Sequence, residues 1–184
     1  MMKKIVIIFF VFLFNTAALG TIKDNIIISL SNTQNLNFNF EQNINGKIET
    51  GNCTIEYPKK IFCRYKLANQ KILVSNGKSL VIKTKSKSYY RYPITRTPLN
   101  FILDKSFLID EIKDLNERVI DNKFINFMIL KDGNEINIFF DKNNYNFIGW
   151  QILDIYQNLN ITYLSSLKKN QILKKNLFKL PSTD

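Results

Sequence analysis

The two cysteines, Cys53 and Cys63, are the residues whose type and spacing most directly predict chemistry. They stand five residues either side of Pro58, and the segments around them are typical of the two arms of a β-hairpin. Directly opposed strand residues lie about 4.5 to 5.5 Å apart at Cα, a separation that a disulfide accepts. The spacing therefore predicts a Cys53–Cys63 disulfide, whose short loop stabilises the fold by about 2 to 3 kcal/mol.

The chain contains no histidine, and this limits the chemistry of every other residue. Two thiolates do not complete a tetrahedral site, so we expect no metal. Serine, cysteine and zinc hydrolase constellations that need imidazole are excluded. Asp110, Glu111 and Asp114 lie close together, but their spacing is that of a solvated helix face or loop. We therefore expect neither an enzyme nor a cofactor.

The start of the chain predicts export from the cytoplasm. The basic pair Lys3-Lys4 precedes an unbroken apolar run over 5–14, and small residues over 16–20 follow it, as in a secretory signal peptide. The run is about ten residues long, whereas a transmembrane helix needs about twenty. We predict a signal peptide over 1–20 and a single soluble domain over 21–184.

The chain is strongly cationic, with 26 basic and 15 acidic residues and a formal net charge of +11. In an exported protein this charge favours anionic lipid head groups or acidic proteins over nucleic acid, and it also fits a surface that only confers solubility. The stretch over 83–92 mixes cations with aromatic residues. It is interpreted either as a solvated strand pair or as a surface that docks an anionic transporter or membrane. The docking residues would be Lys83, Lys85, Lys87 and Arg91.

Hydrophobic periodicity predicts the elements that position these residues. Helical spacing covers Ile22 to Ser31, and the period changes to two from Leu36 onward. Thr97-Pro98 is typical of a helix start with Thr97 as N-cap, and a further helical turn is predicted over 107–115. After two segments between Leu36 and Tyr57, the predicted strands cover 61–67, 71–75, 79–84, 88–92, 124–130, 135–140, 147–154, 159–164 and 172–178.

About ten consecutive strands joined by short turns predict a mainly β protein built on one large curved antiparallel sheet or barrel. Ile48 lies on the opposite parity from Cys53 and Ile55, which predicts a bulge near Gly51. A sheet rolled around one or two short helices leaves a concave apolar face. Such a face is a ligand site by default.

Four stretches match, in order, the motifs of one known family. Phe40-Glu41-Gln42 resembles its Phe-x-Gln, and Tyr57-Pro58-Lys59-Lys60-Ile61-Phe62 with Tyr65 is similar to its Arg-Pro-x-x-Phe hairpin. The segment over 72–80 is similar to its Val-Ser-Asp-Gly-Lys-x-Leu hairpin. Its closing strands and Phe-x-x-Pro end are matched by Trp150, Asp154, Asn158, Thr162 and Phe178-x-x-Pro181. The sequence therefore resembles the periplasmic carriers of outer-membrane lipoproteins, the LolA type.

The resemblance implies an incomplete (unclosed) antiparallel β-barrel of about ten to eleven strands with a lid of two or three short helices. It implies a monomeric periplasmic carrier that shields the acyl chains of lipoproteins released from the inner membrane and delivers them to the outer membrane. Its partners would be acylated lipoproteins as cargo, an inner-membrane lipoprotein-releasing transporter and an outer-membrane acceptor, without nucleic acid. Tyr57 replaces the family's arginine, which is implicated in holding the lid shut, so lid closure must rest on other contacts or be looser.

Acyl chains are expected to contact apolar side chains on the first strand, the second hairpin, the lid and a closing strand, although each is also an ordinary core residue by type. These residues are Phe38, Phe40, Leu73, Leu80, Leu99, Ile102, Leu103 and Trp150. A broader lipid or glycolipid transfer protein of the same fold is the alternative. An outer-membrane acceptor is disfavoured because Cys53, the first cysteine, lies far from the cleavage zone, and an exported enzyme ranks last.

Overall fold

The computed structural model of the chain describes residues 20–66, 70–86, 88–154 and 157–182. The predicted signal peptide, apart from Gly20, lies outside the described residues, and so does Lys87. The strands of the described residues are β1 (Asn35–Ile44), β2 (Lys47–Glu56), β3 (Lys60–Tyr65), β4 (Ile72–Asn76), β5 (Ser79–Lys83), β6 (Tyr89–Pro93), β7 (Arg118–Ile120), β8 (Phe124–Lys131), β9 (Asn134–Asp141), β10 (Phe147–Leu153) and β11 (Leu159–Lys169). The helices of the same residues are α1 (Ile22–Ser31), α2 (Leu99–Ile102) and α3 (Lys105–Asp114), with a 3-10 helix over Ile94–Arg96.

All the strands belong to one 11-stranded sheet in the order β6-β5-β4-β3-β2-β1-β11-β10-β9-β8-β7. Every neighbouring pair is antiparallel. Within the described residues β6 and β7 are the edges and do not pair with each other, so the barrel stays unclosed. The chain passes from one edge to the other through the 3-10 helix, α2 and α3. The predicted fold class is confirmed.

Helix α1 occupies the residues that its periodicity predicts. Thr21 and Asp24 form a capping box, in which the Thr21 amide donates to the Asp24 carboxylate at 2.9 Å and the Asp24 amide donates to Thr21 Oγ1 at 3.2 Å. The side-chain hydrogen bond from Thr21 holds the pKa of the Asp24 carboxyl below its usual range. Ile26 and Leu30 are buried in the core that the sheet shares with α3.

Gly51 in the middle of β2 lies in a cross-strand row with Phe40 of β1 and Tyr65 of β3, and this row explains why the position needs a glycine. Gly51 pairs with Phe40 on one side and with Tyr65 on the other. With no side chain between them, the rings of Phe40 and Tyr65 meet edge to face, 4.9 Å between centroids. The register between β1 and β2 is continuous through Gly51, so the predicted bulge there is wrong. The described irregularities lie between Asn37 and Asn39 in β1 and between Phe147 and Gly149 in β10.

Strands β2 and β3 form the predicted hairpin, and Cys53 and Cys63 are register partners joined by a disulfide. Their Cα atoms are 4.1 Å apart, and both residues are buried. The bond ties two inward-facing positions of adjacent strands at the wall of the core. It therefore links the two strands of the hairpin whose Tyr65 ring contacts Phe40 of β1.

Reduction of this disulfide is expected to lower the free energy of unfolding by about 3 kcal/mol, because opening its short loop restores entropy to the unfolded chain. Urea unfolding followed by circular dichroism, with and without dithiothreitol, measures the change. A chain with Cys53→Ala and Cys63→Ala is the control, since its midpoint should not respond to the reductant. Identical wild-type midpoints in both conditions would contradict the expectation.

The C-terminal segment is not the strand that alternation over 172–178 predicts. Residues 170–182 form turns and irregular chain that lie against the sheet. Lys60 Nζ lies 5.9 Å from the Phe178 ring centroid, and the Tyr89 hydroxyl donates to the Pro181 carbonyl at 3.3 Å. β11 already pairs with β1 on one side and with β10 on the other, so the segment that follows it cannot pair beside β11.

Thr97 is also placed differently from the prediction. It follows the 3-10 helix, and both its amide and its hydroxyl donate to the Ile94 carbonyl at 2.9 Å. Pro98 is the residue before α2, which carries no side-chain cap. Thr97 therefore ends one helix instead of beginning the next, because its hydroxyl finds a carbonyl three residues back.

Candidate functional site

A cavity of about 190 Å³ lies between the sheet and the start of the lid. Residues of β1 to β6, β10 and β11 form its wall. Thr97 and Pro98, just before α2, and Leu99, the first residue of α2, cover it. Most of its lining is apolar. The ring of Trp150 on β10 forms part of it, and stacks on Phe147 with 5.9 Å between centroids.

The structure places the predicted acyl-binding residues in two groups. Five of them line the cavity, namely Phe40, Leu73, Leu80, Leu99 and Trp150. Phe38, Ile102 and Leu103 are fully buried in the core and are not part of the cavity wall. Helix α2 contains one residue of each group: Leu99 faces the cavity, and Ile102 packs into the core.

The lid is held by the turn between β2 and β3. The Lys59 amide donates to the Leu103 carbonyl at 2.7 Å, and Lys59 Nζ lies 3.3 Å from the Asp104 carboxylate. Asp104 also caps α3 by accepting from the Phe107 amide at 3.2 Å. Helix α2 has 4 residues, so few backbone bonds resist its displacement.

Tyr57 does not take over the role of the family's arginine, because it does not hold the lid by a hydrogen bond. Its ring is buried, and its hydroxyl makes no hydrogen bond to any described residue. Burial raises the pKa of the Tyr57 phenol above its usual range. The lid is held instead by Lys59, two residues further along the same turn, and its contacts with Leu103 and Asp104 are called the latch.

Replacing Tyr57 with Phe is expected to raise the free energy of unfolding by about 1 kcal/mol, because it removes a buried hydroxyl that pays for its desolvation with no partner. Urea unfolding of the two proteins measures the difference. Tyr163→Phe is the matched control, since Tyr163 is 55% exposed and its change should fall within about 0.5 kcal/mol. Destabilisation by the Tyr57 change would show that the hydroxyl does have a partner.

A polar group of residues at one end of the cavity is absent from the sequence-based prediction. Gln42 Nε2 donates to Asn160 Oδ1 at 3.0 Å and to Thr162 Oγ1 at 3.2 Å, while the Tyr65 hydroxyl donates to Gln42 Oε1 at 3.1 Å. All four line the cavity and are buried. Burial, and then the nearby charge of Glu49, raise the pKa of the Tyr65 phenol. The family motifs contained Gln42 and Thr162, but nothing in the hydrophobic pattern marked them as cavity residues.

The predicted docking cations occupy the β5 and β6 region. Lys83 Nζ donates to the Ser182 carbonyl at 2.7 Å, and the Arg91 guanidinium donates to Ser79 Oγ at 3.1 and 3.2 Å. Lys85 is exposed. Lys83 and Arg91 therefore donate hydrogen bonds to nearby oxygens, while Lys85 extends into solvent.

The carboxylates of α3 form surface ion pairs. Asp110 lies 2.9 Å from Lys113 Nζ, and Glu111 lies 3.7 Å from Lys131 Nζ. Among the described residues, no group of three His, Cys, Asp or Glu side chains is placed to hold a metal ion. Each helix in this part of the chain also falls short of the length and apolarity that crossing a membrane requires.

An unclosed antiparallel barrel whose helical lid covers an apolar cavity defines the class of lipoprotein-carrier-like folds. Residues 31–181 match the family described as outer membrane lipoprotein carrier protein LolA. The chain belongs to this family. No curated protein matches the sequence.

Solved structures resemble this chain at low sequence identity. A LolA superfamily protein from Nitrosomonas europaea is 7% identical, with a TM-score of 0.46 over 86% of this chain and 96% of that chain. A DUF1329 family protein from Desulfovibrio piger is 9% identical, with a TM-score of 0.43 over 86% and 95%. MucB, in the complex of MucA and MucB from Pseudomonas aeruginosa, is 10% identical, with a TM-score of 0.50 over 88% of this chain and 62% of that chain. The last likeness shows the fold alone.

Proposed function

We infer that this protein is a periplasmic carrier that shields the acyl chains of lipoproteins released from the inner membrane and delivers them to the outer membrane. Membership of the lipoprotein carrier family supports this role. The observation that carries it is the apolar cavity beneath a lid of one helical turn. Residues 1–20 are the export signal in this proposal, and residues 21–184 are the carrier domain.

The size of the cavity supports a lid that moves. A cavity of about 150 Å³ holds a molecule the size of benzene, and pockets for larger ligands measure about 300 to 1,000 Å³. At about 190 Å³ the cavity in this conformation is too small for a long acyl chain. Entry of the chain therefore requires displacement of α2 from the sheet, and the latch at Lys59 and Asp104 is the contact to be broken.

Energetics favour a carrier that exchanges cargo between apolar hosts. Exposing a buried acyl chain to water costs about 0.8 kcal/mol per methylene, so free diffusion of an acylated protein is strongly unfavourable. The direction of transfer depends only on the difference in affinity between donor, carrier and acceptor. The partners in this proposal are the acylated cargo, an inner-membrane releasing transporter and an outer-membrane acceptor.

A lipid or glycolipid transfer protein of the same fold is the second candidate, and the same cavity favours it. Mass spectrometry of the protein purified from its own periplasm, under non-denaturing conditions, separates the two. A triacylated lipoprotein at near-stoichiometric ratio is the expected result. Free phospholipid as the bound species would overturn the carrier role and support lipid transfer.

Neutralising Lys83, Lys85 and Lys87 with Gln is expected to slow cargo loading several-fold at low salt if these residues dock an anionic partner, because such attraction is screened within about 10 Å at 0.1 M salt. Transfer of lipoprotein from inner-membrane vesicles, measured at two salt concentrations, tests this. The control removes equal charge at the exposed Lys174, Lys175 and Lys179. Equal loading by both variants and the wild type would contradict docking and would indicate that these cations belong to a solvated face.

A further inference from the structure

The polar end of the cavity is built by three strands that the chain brings together from distant positions. Gln42 lies on β1, Tyr65 on β3, and Asn160 and Thr162 on β11. Gln42 links the other three through its amide, and Thr162 Oγ1 also donates to Asn160 Oδ1 at 3.1 Å. None of the hydrogen bonds among the described side chains uses the Nδ2 donor of Asn160. Because the other donors are used within the network, this buried wall offers an occupant the Nδ2 donor of Asn160 and the remaining acceptor sites of the side-chain oxygens.

The charged groups at this end of the cavity include both signs, and Lys47 Nζ also lies 3.6 Å from the Glu49 carboxylate. Lys71 lines the cavity, forms an ion pair with Glu49, and holds its ammonium 3.8 Å from the centroid of the Tyr65 ring. The side chain of Glu49 is 8% exposed and that of Lys71 is 20% exposed, so solvent screens the pair weakly. Asp154 contributes a second carboxylate to the lining.

These groups favour one kind of head group over another. A phosphate is bound by cationic side chains or by backbone amides whose N–H groups donate to it. Here the Glu49 carboxylate offsets the charge of Lys71, and the cavity wall also holds the carboxylate of Asp154. A peptide group is neutral, and both donates and accepts hydrogen bonds, as the side chains of Gln42, Asn160 and Thr162 do.

We propose that this polar end binds the peptide groups next to the acylated residue of a lipidated polypeptide, and that the Glu49–Lys71 pair disfavours phospholipid. The proposal rests on the proposed function, since it places acyl chains in the apolar part of the same cavity. The apolar wall then supplies affinity for the chains, while the polar end selects what is attached to them.

The first test replaces both Gln42 and Asn160 with Leu, which removes the hydrogen-bonding groups with little change in volume. The change in the fluorescence of Trp150, the single tryptophan of the chain and a cavity residue, reports binding. The probes are a synthetic triacylated cysteinyl pentapeptide and methyl palmitate, which has an acyl chain without a peptide group. The variant should bind the lipopeptide about tenfold more weakly, because about two hydrogen bonds are lost, and methyl palmitate as the wild type does.

The outcomes separate the two levels of inference. Unchanged lipopeptide affinity beside intact methyl palmitate binding would overturn the role of the polar end alone. An equal fall for both probes would also overturn it, because the loss would then lie in the apolar cavity. Failure of the wild-type protein to bind either probe would overturn the proposed function and this proposal with it.

A second variant, Glu49→Gln, tests selectivity without removing the network. It keeps the size of the side chain and leaves the Lys71 charge available to an anion. Affinity for dipalmitoyl phosphatidylglycerol should rise about fivefold or more, while affinity for the lipopeptide stays within about twofold. Glu56→Gln is the matched control, because Glu56 lies on the same strand but pairs at 2.9 Å with Lys60, which, unlike Lys71, does not line the cavity. No rise for phosphatidylglycerol, or an equal rise in both variants, would overturn the discrimination.

Discussion

Replacement of Gly51 by alanine is expected to lower the free energy of unfolding by about 3 kcal/mol, the upper part of the range for overpacked cores. A Cβ at this position would lie 2.2 Å from the Arg64 carbonyl oxygen and 2.6 Å from Cε1 of Phe40. The carbonyl belongs to the backbone of β3, so it cannot move aside as a flexible side chain would. The strand pairing or the Phe40–Tyr65 contact must yield.

Urea unfolding of the variant measures this cost, with Gly46→Ala as the control. Gly46 lies in the turn between β1 and β2 with φ +88°, and a Cβ there meets nothing within 4 Å. Its replacement should cost only the conformational penalty of the left-handed region, about 1 to 2 kcal/mol. A smaller loss for Gly51 than for Gly46 would refute the packing argument.

Replacement of Leu99 by alanine is expected to weaken binding of an acyl ligand about tenfold with a small effect on stability. Leu99 is half-buried and faces the cavity, so its truncation removes apolar surface from the ligand more than from the core. The change in Trp150 fluorescence on addition of methyl palmitate measures the affinity, and urea unfolding measures the stability of the same samples.

Ile102 is the matched control, because it lies on the same helix but is fully buried outside the cavity. Ile102→Ala should cost about 2 to 5 kcal/mol of stability and leave the affinity of the folded fraction near that of the wild type. The two variants therefore separate ligand contact from lid packing. Equal losses of affinity would show that Leu99 acts only by holding the lid closed.

The fold was predictable where a residue's type and its environment agree. The apolar spacing over Ile22–Ser31 predicts α1 with its observed bounds, and the local capping box of Thr21 and Asp24 agrees with its start. The opposed positions of Cys53 and Cys63 indicate a hairpin by themselves, because a turn-forming proline stands midway between them. In both cases the signal is local, and the tertiary structure does not compete with it.

The errors arose where a distant partner decides the position of a side chain. Ile48 is 52% exposed, while its neighbour Glu49 faces inward because Lys71 neutralises it. Hydrophobic alternation assumes that Ile48 faces inward and Glu49 outward, and it therefore predicted a bulge that the structure does not have. The polar end of the cavity was missed for the same reason, since Gln42 and Asn160 meet only when β1 and β11 pair across most of the chain.

The pairing of β1 with β11 also has a consequence for how the chain acquires its structure. β1 to β6 and β7 to β11 are successions of hairpins between sequence neighbours, whereas Leu36 pairs with Lys169. Contacts of such long separation form slowly, because loop closure precedes the gain from pairing. Until the final strand arrives, β1 presents an unpaired edge, and the two halves of the sheet lack a common interior. The chain is therefore most vulnerable to aggregation while it emerges, and its last step of assembly completes the ligand cavity and protects that edge together.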